Sequence, residues 1–184
     1  MPHTLSTPDN QSFSNSREMT ALASSFAANA MVSNGRRYTD NGDGTVTDTL
    51  SGLTWEQKTD DGSIHDKDNL YSWSASVGGF LDGTVTSVFL AQLNTPPGFA
   101  GHTDWRLPTQ TELFSIMNHN NSNPAAMNTT YFPSNPAGAA EYWWTTDIFG
   151  TDATKVWCVN AGGGMGPKPK SETLSAGEIG RAHV

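Results

Sequence analysis

An aromatic run next to a carboxylate is the part of the chain best suited to binding a ligand. Tyr142, Trp143 and Trp144 are consecutive, and Asp147 follows three residues later. Aromatic rings can stack on a sugar ring while a carboxylate accepts hydrogen bonds from its hydroxyl groups. Because neighbouring residues of a strand point to opposite faces, at most one of the two tryptophans lies beside Tyr142. The four residues are therefore a candidate ligand site, with core packing of the tryptophans as the more common alternative.

A second polar group lies at a predicted helix start. Thr109 and Glu112 have the spacing of a capping box, in which each side chain bonds the backbone amide of the other residue. Asp104, Trp105 and Arg106 come just before them. An arginine between apolar neighbours more often pairs with an acid than contacts a ligand, so we expect Arg106 to hold the fold together. We expect Trp105 to be a core residue.

No catalytic motif accompanies these groups in the sequence. Neither Gly-x-Ser-x-Gly nor His-Glu-x-x-His occurs, and the glycine run at 162–166 lacks the Lys-Ser or Lys-Thr of a phosphate loop. The single cysteine, Cys158, lies between Trp157 and an apolar valine, so we expect it to be buried and not nucleophilic. The sequence predicts no enzyme and no cofactor.

Three aspartates surround a glycine-rich turn near the beginning of the predicted domain. Asp40, Asp43 and Asp48 supply the oxygen atoms that calcium prefers. Their spacing differs from that of an EF-hand, and Asn, Asp and Gly are the usual residues of a tight turn. We therefore interpret them as turn residues and predict no metal.

The overall charge limits the classes of partner. Ten Lys and Arg against eighteen Asp and Glu give a formal charge of -8, and no basic patch is dense enough to bind phosphates. No apolar run approaches the length of a membrane span. The sequence therefore predicts neither nucleic-acid binding nor membrane insertion.

The length fits one domain with a separate N-terminal segment. Residues 1–35 are rich in serine and contain an Ala-Asn-Ala pattern, so we interpret them as a disordered or leader segment. The domain is predicted to cover residues 36–177. Asn-Gly and Asp-Gly pairs at 41–44 predict a hairpin, and a third strand at 53–57 completes a β-meander. Trp55 lies on its apolar face, and we expect it in the core.

The remaining pattern mixes helices and strands, which indicates an α+β fold. Residues 71–94 have helical spacing in two pieces, and Thr84 or Thr86 can cap the second piece. The buried face of this second piece is predicted to comprise Val85, Val88, Phe89 and Leu93. A capped helix begins after Thr109. Further strands are predicted at Trp105–Leu107, Tyr142–Thr145 and Lys155–Val159.

Five segments in this order resemble the C-terminal domain of Lcl-type collagen-like adhesins. They are NGDGTVTD, SGLTWE, HTDWRLPTQTEL, YWWTTD and KVWCVN, and the similarity covers residues 36–177. The resemblance implies a single C-type-lectin-like domain with a β-meander, two main helices and loop-rich antiparallel strands.

The same resemblance implies a function. It points to a non-enzymatic adhesion or ligand-binding module at a bacterial cell surface or outside the cell. The partner would be an extracellular glycan, polysaccharide or surface protein, and a homo-oligomer is compatible with it. Two alternatives stay open: an enzyme of the formylglycine-generating type, whose presumed architecture is shared, and a purely structural tip domain of a longer secreted protein.

The last seven residues differ from the family pattern. Members of the family close with a strand bearing an Arg-Cys-Val-Arg-like motif, and the resemblance implies a disulfide between its cysteine and Cys158. Here residues 178–184 read EIGRAHV, the translation of GAG ATC GGA AGA GCA CAC GTC, which resembles a sequencing adapter. We interpret 178–184 as a non-native tail on a truncated fragment. The strand of Cys158 is then expected to have an unpaired edge and an uncovered apolar face around Trp157.

Overall fold

The computed structural model describes residues 37–76, 79–117, 127–128, 130–132, 142–160, 164–175 and 180–182. The predicted leader at residues 1–35 lies outside these ranges. Within them the chain forms nine strands and two helical regions, which is an α+β fold. No helix in the described ranges is long and apolar enough to cross a membrane.

The first sheet contains the predicted β-meander. Its strands, in spatial order, are β1 (Tyr38–Asp40), β2 (Thr45–Asp48), β3 (Leu53–Glu56) and β9 (Gly180–Ala182). The turn between β1 and β2 uses Gly42 and Gly44 at positive φ, where glycine is least strained. The Asp40 carboxylate accepts from the amide of Gly42 at 2.8 Å, and that of Asp43 accepts from the amide of Thr45 at 3.1 Å. These carboxylates therefore stabilise the turn.

The second sheet has five strands. In spatial order they are β4 (Leu70–Ser72), β8 (Thr173–Ser175), β5 (Tyr142–Ile148), β6 (Lys155–Asn160) and β7 (Met165–Pro169). Strand β6, which carries Cys158, is paired on both sides. The prediction of an unpaired edge at Cys158 was therefore wrong, because residues 165–169 form a further strand that pairs with β6. The backbone of residues 180–182 pairs with β3 instead, and the non-native origin of 178–184 stays a prediction.

In the described ranges, helical structure is confined to the second predicted piece and the capped helix. Helix α1 combines a π-helical segment, Val85–Leu90, with an α-helical turn, Ala91–Leu93, and helix α2 is Gln110–Ile116. The helical prediction for the piece that begins at Tyr71 was wrong, because residues 70–72 pair with β8. Val88 is also exposed, whereas Val85, Phe89 and Leu93 are buried as predicted.

Thr84 precedes α1 without capping it through its side chain. Its hydroxyl oxygen instead accepts a hydrogen bond from the amide of Ser72 at 2.8 Å. This bond links the start of α1 to β4, so Thr84 joins two elements and leaves the helix start to backbone interactions.

The segment around Trp105 does not form a strand. The amide of Trp105 donates to Asn94 Oδ1 at 2.7 Å, and its carbonyl accepts from Asn94 Nδ2 at 2.9 Å. One asparagine side chain thus satisfies the backbone groups that a neighbouring strand would otherwise bond. The predicted strand Trp105–Leu107 was wrong for this reason, and the Trp105 side chain is buried.

Strands β5 and β6 lie between two apolar cores. Trp143 packs in the first core and Trp144 in the second, since neighbouring strand residues face opposite ways. Val159 and Cys158 divide in the same manner. The first core also contains Val46, Leu53, Trp55, Leu113, Ile116 and Phe132, and the second contains Tyr71, Trp73, Phe89, Leu93, Trp105 and Leu107. Both faces of β5 are therefore covered.

Candidate functional site

The two predicted ligand-binding tryptophans lie inside the protein. Trp143 is 2% exposed and Trp144 is 0% exposed. The indole Nε1 of Trp144 donates to the carbonyl of Tyr71 at 2.7 Å. Neither ring has a face open to a sugar. Of the four candidate residues, only Tyr142 and Asp147 are partly exposed.

Asp147 is separated from Tyr142 and has a structural contact of its own. Its carboxylate accepts a hydrogen bond from the amide of Gln110, the first residue of α2. Tyr142 lies five residues earlier on β5 and lines a surface cavity whose lining does not include Asp147. The structure therefore does not bring the predicted aromatic and carboxylate groups together.

Tyr142 instead lines a surface cavity of about 330 Å³. The other lining residues are Lys67, Asp68, Leu70, Thr173, Leu174 and Ser175. Strand β8 lies between β4 and β5, with Ser175 opposite both Leu70 and Trp143. This register places the beginning of β4, the end of β8 and the beginning of β5 at one end of the sheet, where the cavity opens.

The cavity combines apolar surface with hydrogen-bonding groups. Leu70 and Leu174 join the ring of Tyr142, while Thr173 and Ser175 contribute hydroxyl groups. Outside this lining, Lys168 Nζ lies 4.3 Å from the centroid of the Tyr142 ring. A few polar groups among apolar ones are typical of sites that bind small polar molecules.

The polar wall of the cavity comes from residues 59–69, which we call the acidic loop. Oxygen atoms of Asp60, Asp66 and Asp68 lie within 4.8 Å of one another. Lys67 Nζ lies 2.7 Å from the Asp68 carboxylate and 3.2 Å from that of Asp60. Hydrogen bonds to Asp68 and Asp60 raise the pKa of Lys67, so its ammonium group stays charged. Lys67 therefore supplies a positive charge among the three carboxylates.

Three ionisable residues lie beneath the acidic loop, and we call Glu56, Lys58 and His65 the Glu56 cluster. Glu56 and Lys58 are buried, and His65 is partly exposed. Glu56 is 0% exposed and Lys58 is 7% exposed. The Glu56 carboxylate lies 2.8 Å from Lys58 Nζ and 2.6 Å from His65 Nδ1. Lys58 Nζ also lies 4.1 Å from the centroid of the Phe89 ring. A buried ion pair with a hydrogen bond to His65 thus supports the loop that lines the cavity.

Sequence reasoning missed the Glu56 cluster. The predicted third strand, 53–57, includes Glu56, but the sequence assigned this residue no role. The one available signal was the opposite charge of Glu56 and Lys58, which two-residue spacing places on the same face of a strand. That signal is weak, because such pairs are also common on exposed strand faces.

A second group of polar and charged residues, Arg106, Thr109 and Glu112, forms what we call the Arg106 cluster. Arg106 bonds both oxygens of the Glu112 carboxylate, at 2.7 and 2.9 Å. The amide of Thr109 donates to Glu112 Oε2 at 2.7 Å, and the amide of Glu112 donates to Thr109 Oγ1 at 3.2 Å. The Arg106 guanidinium lowers the pKa of Glu112 to about 2. The cluster fixes the start of α2.

Cys158 has the environment of a structural cysteine. Its side chain is fully buried, and burial raises the pKa of the thiol well above its usual range. The thiol contacts the carbonyl of Val156 at 3.7 Å. The neighbouring Trp157 is half-buried and packs edge-on against Phe149, with ring centroids 5.0 Å apart. A thiol in this state does not supply the thiolate that nucleophilic catalysis requires.

The family model described as the Lcl C-terminal domain matches residues 44–176, which is more than half of the chain. No curated protein and no solved structure matches the chain.

Proposed function

We propose that this chain, which belongs to the Lcl C-terminal domain family, is a non-enzymatic module that binds a glycan at a bacterial cell surface. The observation that carries the proposal is the cavity beside Tyr142, which joins an aromatic ring to hydroxyl and charged groups. We further propose that the two sheets belong to a C-type-lectin-like architecture, as the sequence resemblance implies.

The chemistry of the cavity suits a sugar ring. The apolar face of a sugar can pack on Tyr142, while its hydroxyl groups exchange hydrogen bonds with Asp68, Thr173 and Ser175. The volume of about 330 Å³ favours a small ligand unit, such as one sugar ring, with the rest of the chain extending outside. Leu70 is 58% exposed and supplies apolar surface at the cavity.

The charge of the protein favours a neutral or amino-bearing glycan over a sulfated one. The formal charge of the chain is -8, and residues 59–69 contain four aspartates and one lysine. Negative charge close to the cavity repels a polyanion and lowers its association rate. A glycan without negative charge avoids this repulsion.

The two alternative functions, an enzyme and a structural tip domain, require different features of the protein. An enzyme of the formylglycine-generating type needs reactive cysteines or a metal site, and the raised pKa of the buried Cys158 thiol argues against the former. A purely structural tip domain needs no ligand. The cavity and its mixed lining favour binding over this structural role.

Binding measurements separate these functions. We define the hexamer panel as hexamers of glucose, N-acetylglucosamine and glucosamine, with heparin as a sulfated comparison. We expect binding to at least one hexamer, weaker binding to heparin, and about tenfold weaker hexamer binding after Tyr142→Ala, as for loss of an aromatic anchor. Phe80→Ala is the matched control, because Phe80 is 87% exposed and does not line the cavity.

Two outcomes contradict the proposal. A folded protein that binds no member of the panel favours the structural role. Equal losses of binding in Tyr142→Ala and Phe80→Ala would place the ligand outside the cavity. Circular dichroism of each variant establishes that the fold is retained.

A further inference from the structure

Glu56 is a fully buried acidic residue. Its carboxylate is removed from water, which is unfavourable unless cations or hydrogen bonds compensate. Lys58 and His65 provide this compensation from two directions. Lys58 comes from the same chain segment as Glu56, whereas His65 comes from the acidic loop. Glu56 therefore attaches the loop to the end of β3.

Backbone hydrogen bonds of His65 and Lys67 connect this contact to the wall of the cavity. The carbonyl of His65 accepts from the amide of Thr59 at 3.0 Å, and the amide of Lys67 donates to the carbonyl of Thr59 at 3.0 Å. The His65 ring also packs on Phe99, with ring centroids 4.2 Å apart. Fixing His65 thus fixes the backbone that carries Lys67 and, next to it, Asp68.

We propose that Glu56 is a positioning residue for the ligand cavity. It acts through His65, whose anchored ring holds the acidic loop so that Lys67 and Asp68 keep their places in the cavity wall. Glu56 itself does not line the cavity. This inference rests on the proposed glycan-binding function, because it assigns a role within that same site.

The test removes the hydrogen bond between His65 and Glu56. His65→Phe retains a ring that can pack on Phe99 but cannot accept or donate at the Glu56 carboxylate, while Lys58 stays to neutralise that carboxylate. Should this variant fail to fold, His65→Gln is the smaller change. Arg106→Gln is the matched control, since it breaks an ion pair at α2 whose hydrogen bonds run to Leu107 and Glu112.

Two measurements read out the position of the loop. Titration with the hexamer panel, well below the melting temperature, is expected to show binding about tenfold weaker in His65→Phe, because a loosened site loses affinity. Amide hydrogen exchange without ligand is expected to be about tenfold faster at Lys67, with β5 and β6 unchanged. Arg106→Gln is expected to alter panel binding by less than about twofold, as for a distant site.

The outcomes distinguish this inference from the proposed function. If the original chain binds the panel and His65→Phe binds equally well, or if Lys67 exchange is unchanged, the positioning role is wrong and the binding function stands. If Arg106→Gln weakens panel binding as much as His65→Phe, the effect is general and the positioning role is wrong. If the original chain binds no hexamer, the proposed function fails and the positioning role fails with it.

Discussion

The Glu56 cluster and the Arg106 cluster each surround one glutamate with a cation and further donors, yet they differ in depth and in span. Glu112 is partly exposed, and its partners lie within six residues of it. Glu56 is fully buried, and His65 reaches it from a loop that folds back over β3. We therefore assign the two clusters different roles. The Arg106 cluster fixes the start of α2, and the Glu56 cluster holds the acidic loop in place.

Burial also determines what is lost when each pair is broken. An exposed pair contributes about 0 to 1 kcal/mol, because water already solvates both charges. Breaking a buried pair costs about 3 to 5 kcal/mol, because the remaining charge has no partner. The comparison can therefore be tested by removing one member of each cluster.

The largest expected effect follows from Glu56→Ala. This change leaves the buried ammonium group of Lys58 without its counter-charge, so the free energy of unfolding is expected to fall by about 3 to 5 kcal/mol. Urea denaturation measures it. A loss below about 1 kcal/mol would mean that the Glu56 cluster behaves like an exposed pair.

The matched control removes both charges together. In Glu56→Gln combined with Lys58→Met, neither residue is charged, and the free energy of unfolding is expected to recover to within about 2 kcal/mol of the original chain. If the double variant is as unstable as Glu56→Ala, the loss comes from packing rather than from an unpaired charge.

A smaller effect is expected from Thr109→Ala in the Arg106 cluster. The hydroxyl of Thr109 accepts from the amide of Glu112, and its removal leaves that amide without its cap, at a cost of about 1 kcal/mol. Thr103→Ala, outside the helix, provides the comparison. An unchanged urea midpoint would show that the capping box contributes nothing to the stability of α2.

Arg106→Gln is expected to have a still smaller effect on stability. The guanidinium group is partly exposed, so the variant should lose about 0.5 to 1 kcal/mol of unfolding free energy. Thermal denaturation at low and high salt measures it, since salt screens an exposed pair. A loss equal to that of Glu56→Ala would remove the distinction between the two clusters.

The pH dependence of stability tests the ion pair between Glu112 and Arg106. The pKa of Glu112 is lowered to about 2 by Arg106, so the folded state favours its charged form. This stabilisation is complete above the ordinary glutamate pKa of about 4.5 and is lost as the pH falls through about 2. Melting temperatures of the original chain should therefore fall more steeply over that interval than those of Glu112→Gln. Parallel curves would contradict the pKa assignment.

The same contrast explains which parts of the structure the sequence could predict. The capping box depends on Thr109 and Glu112 alone, three residues apart, and the pairing of Arg106 with a nearby acid depends on the next turn. Those interactions are local, and the hairpin at β1 and β2 is local as well. Residue types and spacing are enough for features of this kind.

The missed features depend on residues that are distant in sequence. Alternation in β5 places Trp143 and Trp144 on opposite faces, but only the surrounding elements decide that both faces are covered. Likewise, nothing near Trp105 indicates that the side chain of Asn94 replaces a strand partner. The cavity beside Tyr142 depends on the parallel pairing of β5 with β8, about thirty residues later in the chain.

Backbone amide NMR shifts during titration with the hexamer panel test the central claim, a glycan site beside the acidic loop, most directly. We expect the shifts to change at Lys67, Asp68, Thr173 and Ser175, which line the cavity, and to stay constant at Thr109 in the other cluster. Changes centred on Thr109 and the start of α2, or no changes at any hexamer concentration, would contradict the assignment of the cavity as the binding site.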